Sequence, residues 1–239
     1  MNEPGGRGDS EGRNLTFGML EALGRAIVTG AYEDQRFPTE AELADRHRVS
    51  RSVTREAVKM LTAKGLLTAR PRKGTTVQPS SSWNLFDTDV LRWLLERKFS
   101  LELLRQFSEL RIAIEPEAAA LAAREANGAA AAEIRAGYER MEGAEARGAD
   151  PLDADIAFHI AVLNASANPF YMQFRDVVAT ALRTSIRFTN RFKGRTASLP
   201  AHHEVLAAIE AGDPVEARRA MAAIIADVMA MIDDAERAG

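Results

Sequence analysis

The chain contains no cysteine among its 239 residues, which excludes both disulfide bonds and thiolate chemistry. Aromatic residues make up only 6% of it, and Ala, Leu and Glu are abundant, a composition that favours helices over sheets. No apolar run approaches the roughly 20 residues needed to span a bilayer. The N-terminus also lacks the apolar core of a signal peptide. We therefore expect a mainly helical cytoplasmic protein that has no membrane partner.

Basic side chains are slightly outnumbered overall, 31 against 34 acidic ones, but they dominate one region. The formal net charge is −3, yet residues 43–78 hold nine Lys and Arg side chains against two acidic ones. Residues 80–239 carry 24 acidic side chains against 18 basic ones. A cationic segment inside an acidic protein is typical of a phosphate-binding face, so only the front part is expected to meet nucleic acid.

The basic region has the pattern of two short helices followed by a hairpin. Thr39 and Glu42 fit a capping box at the start of a helix over 40–47. Ser50 is the natural N-cap of the next helix. Its apolar residues recur every three or four positions and predict one buried face: Val53, Ala57, Met60 and Leu61. Two short helices joined by a tight turn, the second one basic, predict a helix-turn-helix.

Several polar residues lie outside that buried face, near the start of the second helix. Free backbone N–H groups and the helix dipole favour anions at this end. Residues 66–69 and 75–77 would pair as a basic wing turned at 71–74. An ordinary amphipathic helix with a solvated basic face is the alternative, but the local excess of positive charge favours DNA binding. The predicted DNA-contacting residues are Thr39, Arg48, Ser50, Arg51, Ser52, Arg55, Arg70, Arg72, Lys73 and Gly74.

The rest of the chain reads as helices separated by glycine and proline. Residues 1–14 are glycine-rich and charged, and we expect a disordered tail there. A first helix is predicted over 15–29, with an inner stripe of Phe17, Leu20, Leu23 and Ile27. Further helices are predicted over 101–126, 129–147, 152–165, 170–192, 200–211 and 214–237.

The predicted fold class is mainly α. A winged helix-turn-helix of three helices and a small β-hairpin (15–79) would precede a linker (80–90) and an all-α helical bundle (91–237). Both tryptophans, Trp83 and Trp93, lie near the linker. We expect them to pack the linker and the following helix onto the bundle.

Three residues in the bundle form a candidate metal site. Asp155 and His159 are four apart on one predicted helix, so both side chains project from the same face. His202 begins a later helix on the side of its apolar stripe and should point inwards, whereas His203 should lie at the surface. One carboxylate and two imidazoles suit a divalent ion: zinc first, with nickel, manganese or iron as alternatives. A plain surface pair between Asp155 and His159 is the competing interpretation.

The front part resembles the winged helix of GntR-type regulators. The resemblance rests on Phe37-Pro38-Thr39-Glu40, Val49-Ser50-Arg51-Ser52, Gly65-Leu66-Leu67 and Gly74-Thr75-Thr76-Val77. In that family the residues matching Arg51, Ser52 and Arg55 contact the operator, and the wing tip near Gly74 enters the minor groove. Two positions depart from the family pattern: Ala41 replaces a DNA-contacting arginine, and Arg48 replaces the usual glycine of the turn.

The bundle resembles the FCD effector domain of the FadR branch of this family. The matching residues are Asp155, Phe158, His159, Asn168-Pro169, His202 and Ala211-Gly212-Asp213. Residues 83–93 resemble the entry to this domain in regulators that respond to sugar acids such as galactonate. The resemblance implies that Asp155, His159 and His202 bind the metal. Ile224 stands where the family usually has a further histidine ligand, which would leave open positions for water or an effector.

Two arginines are candidates for binding an effector carboxylate. Arg111 matches a position where the family commonly keeps an arginine for this purpose, and a guanidinium fork suits a planar anion. An ion pair with Glu115, four residues on, is the alternative interpretation of Arg111. Arg187 is a further candidate for the same cavity.

Three functional hypotheses follow. The first is a homodimeric transcription factor and not an enzyme: a repressor that binds a palindromic operator in double-stranded DNA and is released by a small carboxylate. The second is a metal-dependent enzyme that acts on a small carboxylate. The third is a regulator without metal that binds an acyl or dicarboxylate ligand through Arg111.

Overall fold

Two compact units make up the fold, Met1–Lys98 and Phe99–Gly239. The computed structural model describes residues 7–33, 35–70, 74–125, 128–192 and 198–238, and these contain eleven helices and one small antiparallel sheet. The predicted fold class, a mainly α protein with a small hairpin near its front, is confirmed. No helix in the described ranges has both the length and the apolarity required to cross a membrane.

The first unit is a winged helix-turn-helix extended by one helix. Its elements are α1 (Arg7–Val28), α2 (Glu40–His47), α3 (Arg51–Ala63), β1 (Leu67–Arg70), β2 (Gly74–Val77) and α4 (Thr88–Leu94). The two strands are antiparallel, with Leu67 opposite Val77 and Arg70 opposite Gly74. Helix α3 packs against α1, α2 and β1, so the predicted helix-turn-helix and wing are both present.

Helix α1 begins earlier than the sequence suggested. It starts at Arg7 rather than at residue 15, so residues 7–14 belong to a helix and not to the predicted disordered tail, of which residues 1–6 lie outside the described residues. Extending an existing helix costs far less than nucleating one, and no proline interrupts this stretch. Among the side chains of α1 that the structure describes, from residue 14 onwards, Met19 is the first buried one, and Phe17, expected in the inner stripe, is 54% exposed.

The buried face of α3 is rotated slightly from the predicted one. Thr54, Ala57, Val58 and Leu61 are buried, whereas Val53 and Met60 are only half-buried. Thr54 can be buried because its hydroxyl donates to the backbone carbonyl of Ser50 at 3.2 Å, so the polar group keeps a partner away from water.

The segment after the wing is built into the first unit. Trp83 Nε1 donates to the carbonyl of Gln78 at 2.9 Å, and the backbone N–H of Asn84 donates to the carbonyl of Lys64 at 2.9 Å. The Lys64 ammonium lies 2.8 Å from both carboxylate oxygens of Asp87, the residue that caps α4. The predicted linker is therefore anchored to the end of α3.

Helix α4, which carries the second tryptophan, packs against α1. Trp93 is fully buried, and its ring lies directly over Gly24, which has no side chain to obstruct it. Arg92 donates to both carboxylate oxygens of Glu21 at 2.6 Å. Trp83 and Trp93 thus fasten the linker and α4 to the rest of the first unit. The first unit extends to Lys98.

The second unit is a helical bundle. Its helices are α5 (Leu101–Glu125), α6 (Gly128–Ala146), α7 (Leu152–Ala165), α8 (Pro169–Met172), α9 (Arg175–Phe192), α10 (Leu199–Glu210) and α11 (Pro214–Ala238). The predicted helix over 170–192 is divided into a single turn, α8, and a longer helix, α9. Helix α5 packs against α7, α9, α10 and α11 and so lies at the centre of the bundle.

Candidate functional site

The N-terminus of α3 presents polar and cationic side chains. The Ser50 hydroxyl accepts from the backbone N–H of Val53 at 3.3 Å, as an N-cap does. The predicted DNA-contacting side chains of Arg51, Ser52 and Arg55 are all exposed. Arg55 Nε is 3.5 Å from the carboxylate of Glu40, a partner that is readily exchanged for a phosphate because both groups are exposed. The arrangement suits the binding of a DNA phosphate backbone at this end of α3.

Helix α2 is capped at both ends by candidate residues. The Thr39 hydroxyl accepts from the N–H of Glu42 at 3.3 Å, and the N–H of Thr39 donates to the Glu42 carboxylate at 2.6 Å. The backbone N–H of Thr39 and its hydroxyl, which also donates to the Glu42 carboxylate at 2.8 Å, lower the pKa of Glu42. Arg48 ends the helix in the left-handed conformation, with φ 54° and ψ 43°. That conformation favours glycine, which agrees with the expectation from the resemblance that Arg48 stands where a turn glycine is usual.

Of the predicted wing residues, Gly74 and the backbone of Arg70 lie among the described residues. Gly74 is exposed at the start of β2, with φ 79°. The backbone of Arg70 pairs with it across the hairpin. The side chain of Arg70, and all of Arg72 and Lys73, lie outside the described residues.

The three predicted metal ligands come together in the second unit. Asp155 and His159 lie on α7 and His202 on α10, and all three are buried. His202 Nε2 is 2.9 Å from Asp155 Oδ1, and His159 Nε2 is 3.5 Å from the same oxygen. The two Nε2 atoms are 3.3 Å apart. The surface pair that we considered as the alternative is therefore wrong, because both side chains point into the bundle.

The outer nitrogen of each imidazole ring has an accepting partner. His202 Nδ1 lies 2.8 Å from the carbonyl oxygen of Ser198, and His159 Nδ1 contacts the carboxylate of Glu115. Since a carbonyl and a carboxylate can only accept, we assign a proton to each Nδ1 atom. In the neutral rings both Nε2 lone pairs then face Asp155 Oδ1, a buried oxygen that accepts no hydrogen bond from the described residues.

Three electron-rich atoms at these distances repel one another unless a cation lies among them. Two imidazole nitrogens and one carboxylate oxygen are ligands for zinc, nickel, manganese or iron, and one ligand atom from each residue lies within 4.8 Å of the others. The residues present therefore fit a divalent ion. Ile224 is half-buried against the core of the bundle, and its side chain offers no donor atom.

Neighbouring charges favour a protonated His159 and an ionised Asp155 when no metal is bound. Burial would lower the pKa of His159, but the carboxylates of Glu115 and Asp155 outweigh it and raise this pKa to about 9. Burial would raise the pKa of Asp155, yet the imidazoles of His159 and His202 hold it below its usual range. Without a metal, a proton on His159 Nε2 would lie between the two rings, so a metal and this proton compete for the same place.

Arg111 is buried and paired with Glu115. Its Nε atom is 2.5 Å from Glu115 Oε1, and its Nη2 atom is 3.4 Å from Glu115 Oε2. Burial would raise the pKa of Glu115, but the charges of Arg111 and His159 lower it to about 2. Of the two interpretations left open for Arg111, the ion pair with Glu115 is present. Arg187 lies within α9, but its side chain is outside the described residues.

Sequence reasoning missed the role of Glu115, which contacts both Arg111 and the ligand His159. The spacing of Arg111 and Glu115 predicted their pairing, but no local pattern indicated that His159, on another helix, would join them. The surface position expected for His203, the residue after His202, was predicted correctly. His203 is exposed, and its ring centroid lies 5.6 Å from that of Tyr138.

Two family models match the chain. Residues 19–77 match the bacterial regulatory proteins of the gntR family, and residues 106–227 match the FCD domain. The chain belongs to the GntR family. The first match covers the helix-turn-helix and wing, and the second contains the Asp155, His159 and His202 group, so this regulator has the FadR-type combination of domains.

The relatives of this GntR regulator include two transcriptional regulators of Escherichia coli K12. It is 32% identical over 216 residues to the HTH-type transcriptional regulator YieP of Escherichia coli K12, covering 89% of this chain and 93% of YieP. It is 33% identical over 188 residues to the galactonate operon transcriptional repressor of the same organism, covering 78% of this chain and 81% of the repressor.

Solved structures support the fold of this GntR regulator. E. coli McbR/YncC has a TM-score of 0.52 and 19% sequence identity, with 93% of this chain and 98% of that chain covered. At that identity the likeness concerns the fold alone. Together with the family matches, these findings establish a DNA-binding transcriptional regulator of the GntR type with an FCD domain.

Proposed function

We propose that this GntR regulator is a homodimeric repressor that leaves its operator when a small carboxylate binds at a metal centre in the FCD domain. The observation that carries the proposal is the convergence of Asp155 Oδ1 with two imidazole nitrogens whose tautomers are fixed by outside partners. Buried lone pairs in such an arrangement repel one another unless a metal ion or a proton lies among them.

The DNA half of the proposal rests on the exposed start of α3. Two copies related by a twofold axis would place Arg51, Ser52 and Arg55 of each chain in successive major grooves of a palindromic operator. Thr39, Arg48 and Ser50 would contact phosphates near the same helix end. The wing residues Arg70, Arg72, Lys73 and Gly74 would reach the minor groove.

The effector half rests on the donor set. With three protein ligands and Ile224 in the fourth place, a zinc ion would keep positions open for the carboxylate and hydroxyl oxygens of a sugar acid. Among the described residues, Glu115 takes two of the five N–H groups of Arg111, which leaves three for an effector carboxylate. Arg187 is a further candidate. The relative that represses a galactonate operon makes galactonate the first acid to test.

A regulator is favoured over an enzyme by the surroundings of the metal group. A hydrolytic centre needs a carboxylate or imidazole free to act as a base. Among the described residues, the further carboxylate that contacts the group is Glu115, whose oxygens are already held by Arg111 and His159. The regulatory effect required is modest, since a coupling of about 3 kcal/mol changes operator affinity about 150-fold.

The test is a mobility-shift experiment with the regulator's own promoter region at moderate salt. We expect sequence-selective retention of the DNA, and release when galactonate or another sugar acid is added together with zinc. The variant His159→Ala should retain the DNA but no longer respond to the acid. Absence of selective retention contradicts the DNA half of the proposal, and equal release from His159→Ala contradicts the metal half.

A further inference from the structure

Glu115 is held from two sides inside the bundle. Arg111, one turn earlier on α5, binds Glu115 Oε1 at 2.5 Å, and His159 on α7 contacts Glu115 Oε2 through Nδ1. The three side chains are each at most 3% exposed. Burying a carboxylate is unfavourable unless it is paired, and Arg111 alone would suffice for that. The second contact, to His159, therefore calls for a separate explanation.

The contact with Glu115 determines what His159 can offer at its other nitrogen. A carboxylate accepts the proton of Nδ1, so the neutral ring carries its lone pair on Nε2. It also fixes the rotation of the ring, which directs Nε2 towards Asp155 Oδ1 and His202 Nε2. Without this partner the ring could place its proton on Nε2, which would then have no lone pair for a metal.

The two imidazole ligands have unequal partners. His202 Nδ1 is held by the neutral carbonyl of Ser198 at 2.8 Å, whereas His159 Nδ1 is held by an anion. An anionic partner increases the basicity of the opposite ring nitrogen more than a neutral one does. His159 should therefore be the stronger nitrogen ligand of the pair.

We propose that Glu115 is the positioning residue of the metal centre. It selects the Nδ1-protonated form of His159, holds the ring in place and increases the donor strength of Nε2. Arg111 fixes Glu115 and balances its charge, so Arg111 acts on the metal through Glu115 and His159 even when no effector is bound. The inference rests on the metal binding proposed above and adds an outer carboxylate on α5 to ligands on α7 and α10.

The experiment measures zinc affinity of the full chain by competition with a chromophoric chelator. Glu115→Gln should weaken zinc binding by about 10- to 100-fold, the effect typical of losing an outer partner of a ligand. The matched control is Glu117→Gln, two residues along the same helix, whose carboxylate pairs with Arg218 at 2.7 Å and is partly exposed. The control should bind zinc as the wild type does.

A second variant removes the objection that Glu115→Gln leaves the Arg111 charge buried without a partner. Arg111→Met combined with Glu115→Gln takes away both charges, and it should show the same loss of zinc affinity. The form of the His159 ring is read separately from long-range proton–nitrogen NMR spectra of the metal-free proteins at a pH above about 9, where the ring is neutral. The wild type should show Nδ1 protonated, whereas both variants should show mixed tautomers, a change that a purely structural role would not produce.

Two results would overturn the inference, and they are distinguishable. Wild-type zinc affinity and an unchanged His159 ring in both folded variants would refute the role of Glu115 while leaving the proposed metal centre intact. Failure of the wild type itself to bind zinc would refute both the inference and the metal half of the proposed function.

Discussion

Gly24 lies so close to the indole ring of Trp93 that a Cβ atom at position 24 would be 2.2 Å from it. One turn earlier on α1, Glu21 accepts both hydrogen bonds of the Arg92 fork at 2.6 Å. A steric fit and an ion pair together attach α4 to α1. The segment that leaves the wing is thus an ordered part of the DNA-binding unit.

We expect Gly24→Ala to destabilise this unit. The added methyl group cannot be accommodated without moving the buried Trp93, and overpacking of this kind costs about 1–3 kcal/mol. The matched control is Gly18→Ala on the same helix, where a Cβ atom has nothing within 4 Å. It should gain about 0.5–1 kcal/mol from the higher helix propensity of alanine. Urea denaturation measures both, and equal effects would contradict the close fit.

The arginines at the start of α3 should determine operator affinity. Arg51→Ala or Arg55→Ala is expected to lose about 1–3 kcal/mol of binding free energy, the usual contribution of a base-contacting arginine. Arg140→Ala removes the same charge from an exposed position on α6 and should bind normally. Fluorescence anisotropy with operator DNA measures the three variants. If Arg140→Ala weakened binding as much as the others, a general charge effect would explain the loss.

Two adjacent histidines provide a matched test of the metal centre. His202 is buried beside Asp155, whereas His203 is exposed. Zinc at 100 times its dissociation constant should stabilise the wild type by about 2.7 kcal/mol. His203→Ala should retain this stabilisation and His202→Ala should lose it. A thermal-shift assay with and without zinc is sufficient, and stabilisation retained in His202→Ala would place the ion elsewhere.

Zinc affinity should depend on pH with a definite sign. The pKa of His159 is about 9 in the folded chain, so below this pH a proton must leave when the metal binds. Apparent affinity should therefore rise about tenfold per pH unit between about pH 7 and 9. Calorimetry in buffers of different ionisation enthalpy counts the released proton, and affinity that is constant over this range would contradict the competition.

The stability of the metal-free fold should fall as the pH rises, whereas zinc affinity should increase. Because the folded pKa of His159, about 9, lies above its ordinary value of 6.5, the protonated ring stabilises the fold fully below that ordinary value. This contribution is lost as the pH rises through about 9. Urea denaturation of chelator-treated protein at several pH values should reveal the loss, and His159→Ala should remove it.

Local patterns predicted the helices of the bundle well. Glycine, proline and asparagine mark most of the breaks, and the predicted ends of α5, α6 and α7 lie within about two residues of those observed. The Asp155 and His159 pair was predicted because both the spacing and the helix are local. The inward direction of His202 followed from the apolar stripe of α10.

What the sequence could not predict depends on contacts between distant residues. Glu115 meets His159 across 44 positions, and Gly24 meets Trp93 on a helix that was assigned to the other unit. Glu115 is an ordinary helix residue in type, and a glycine inside a helix, such as Gly24, does not indicate which distant side chain packs on it. Thr54 was missed for another reason, since its burial depends on a hydroxyl bond to the carbonyl of Ser50 that hydrophobic periodicity does not record.

At Arg48, the demand for low backbone strain opposes the demand for positive charge near DNA. Its left-handed backbone, with φ 54°, costs about 1–2 kcal/mol that glycine would avoid, while its guanidinium adds a cation beside the start of α3. Arg48→Gly should therefore make the chain more resistant to heat and at the same time reduce its attraction for DNA. Improvement of thermal resistance at this turn would come at the expense of occupancy on the chromosome.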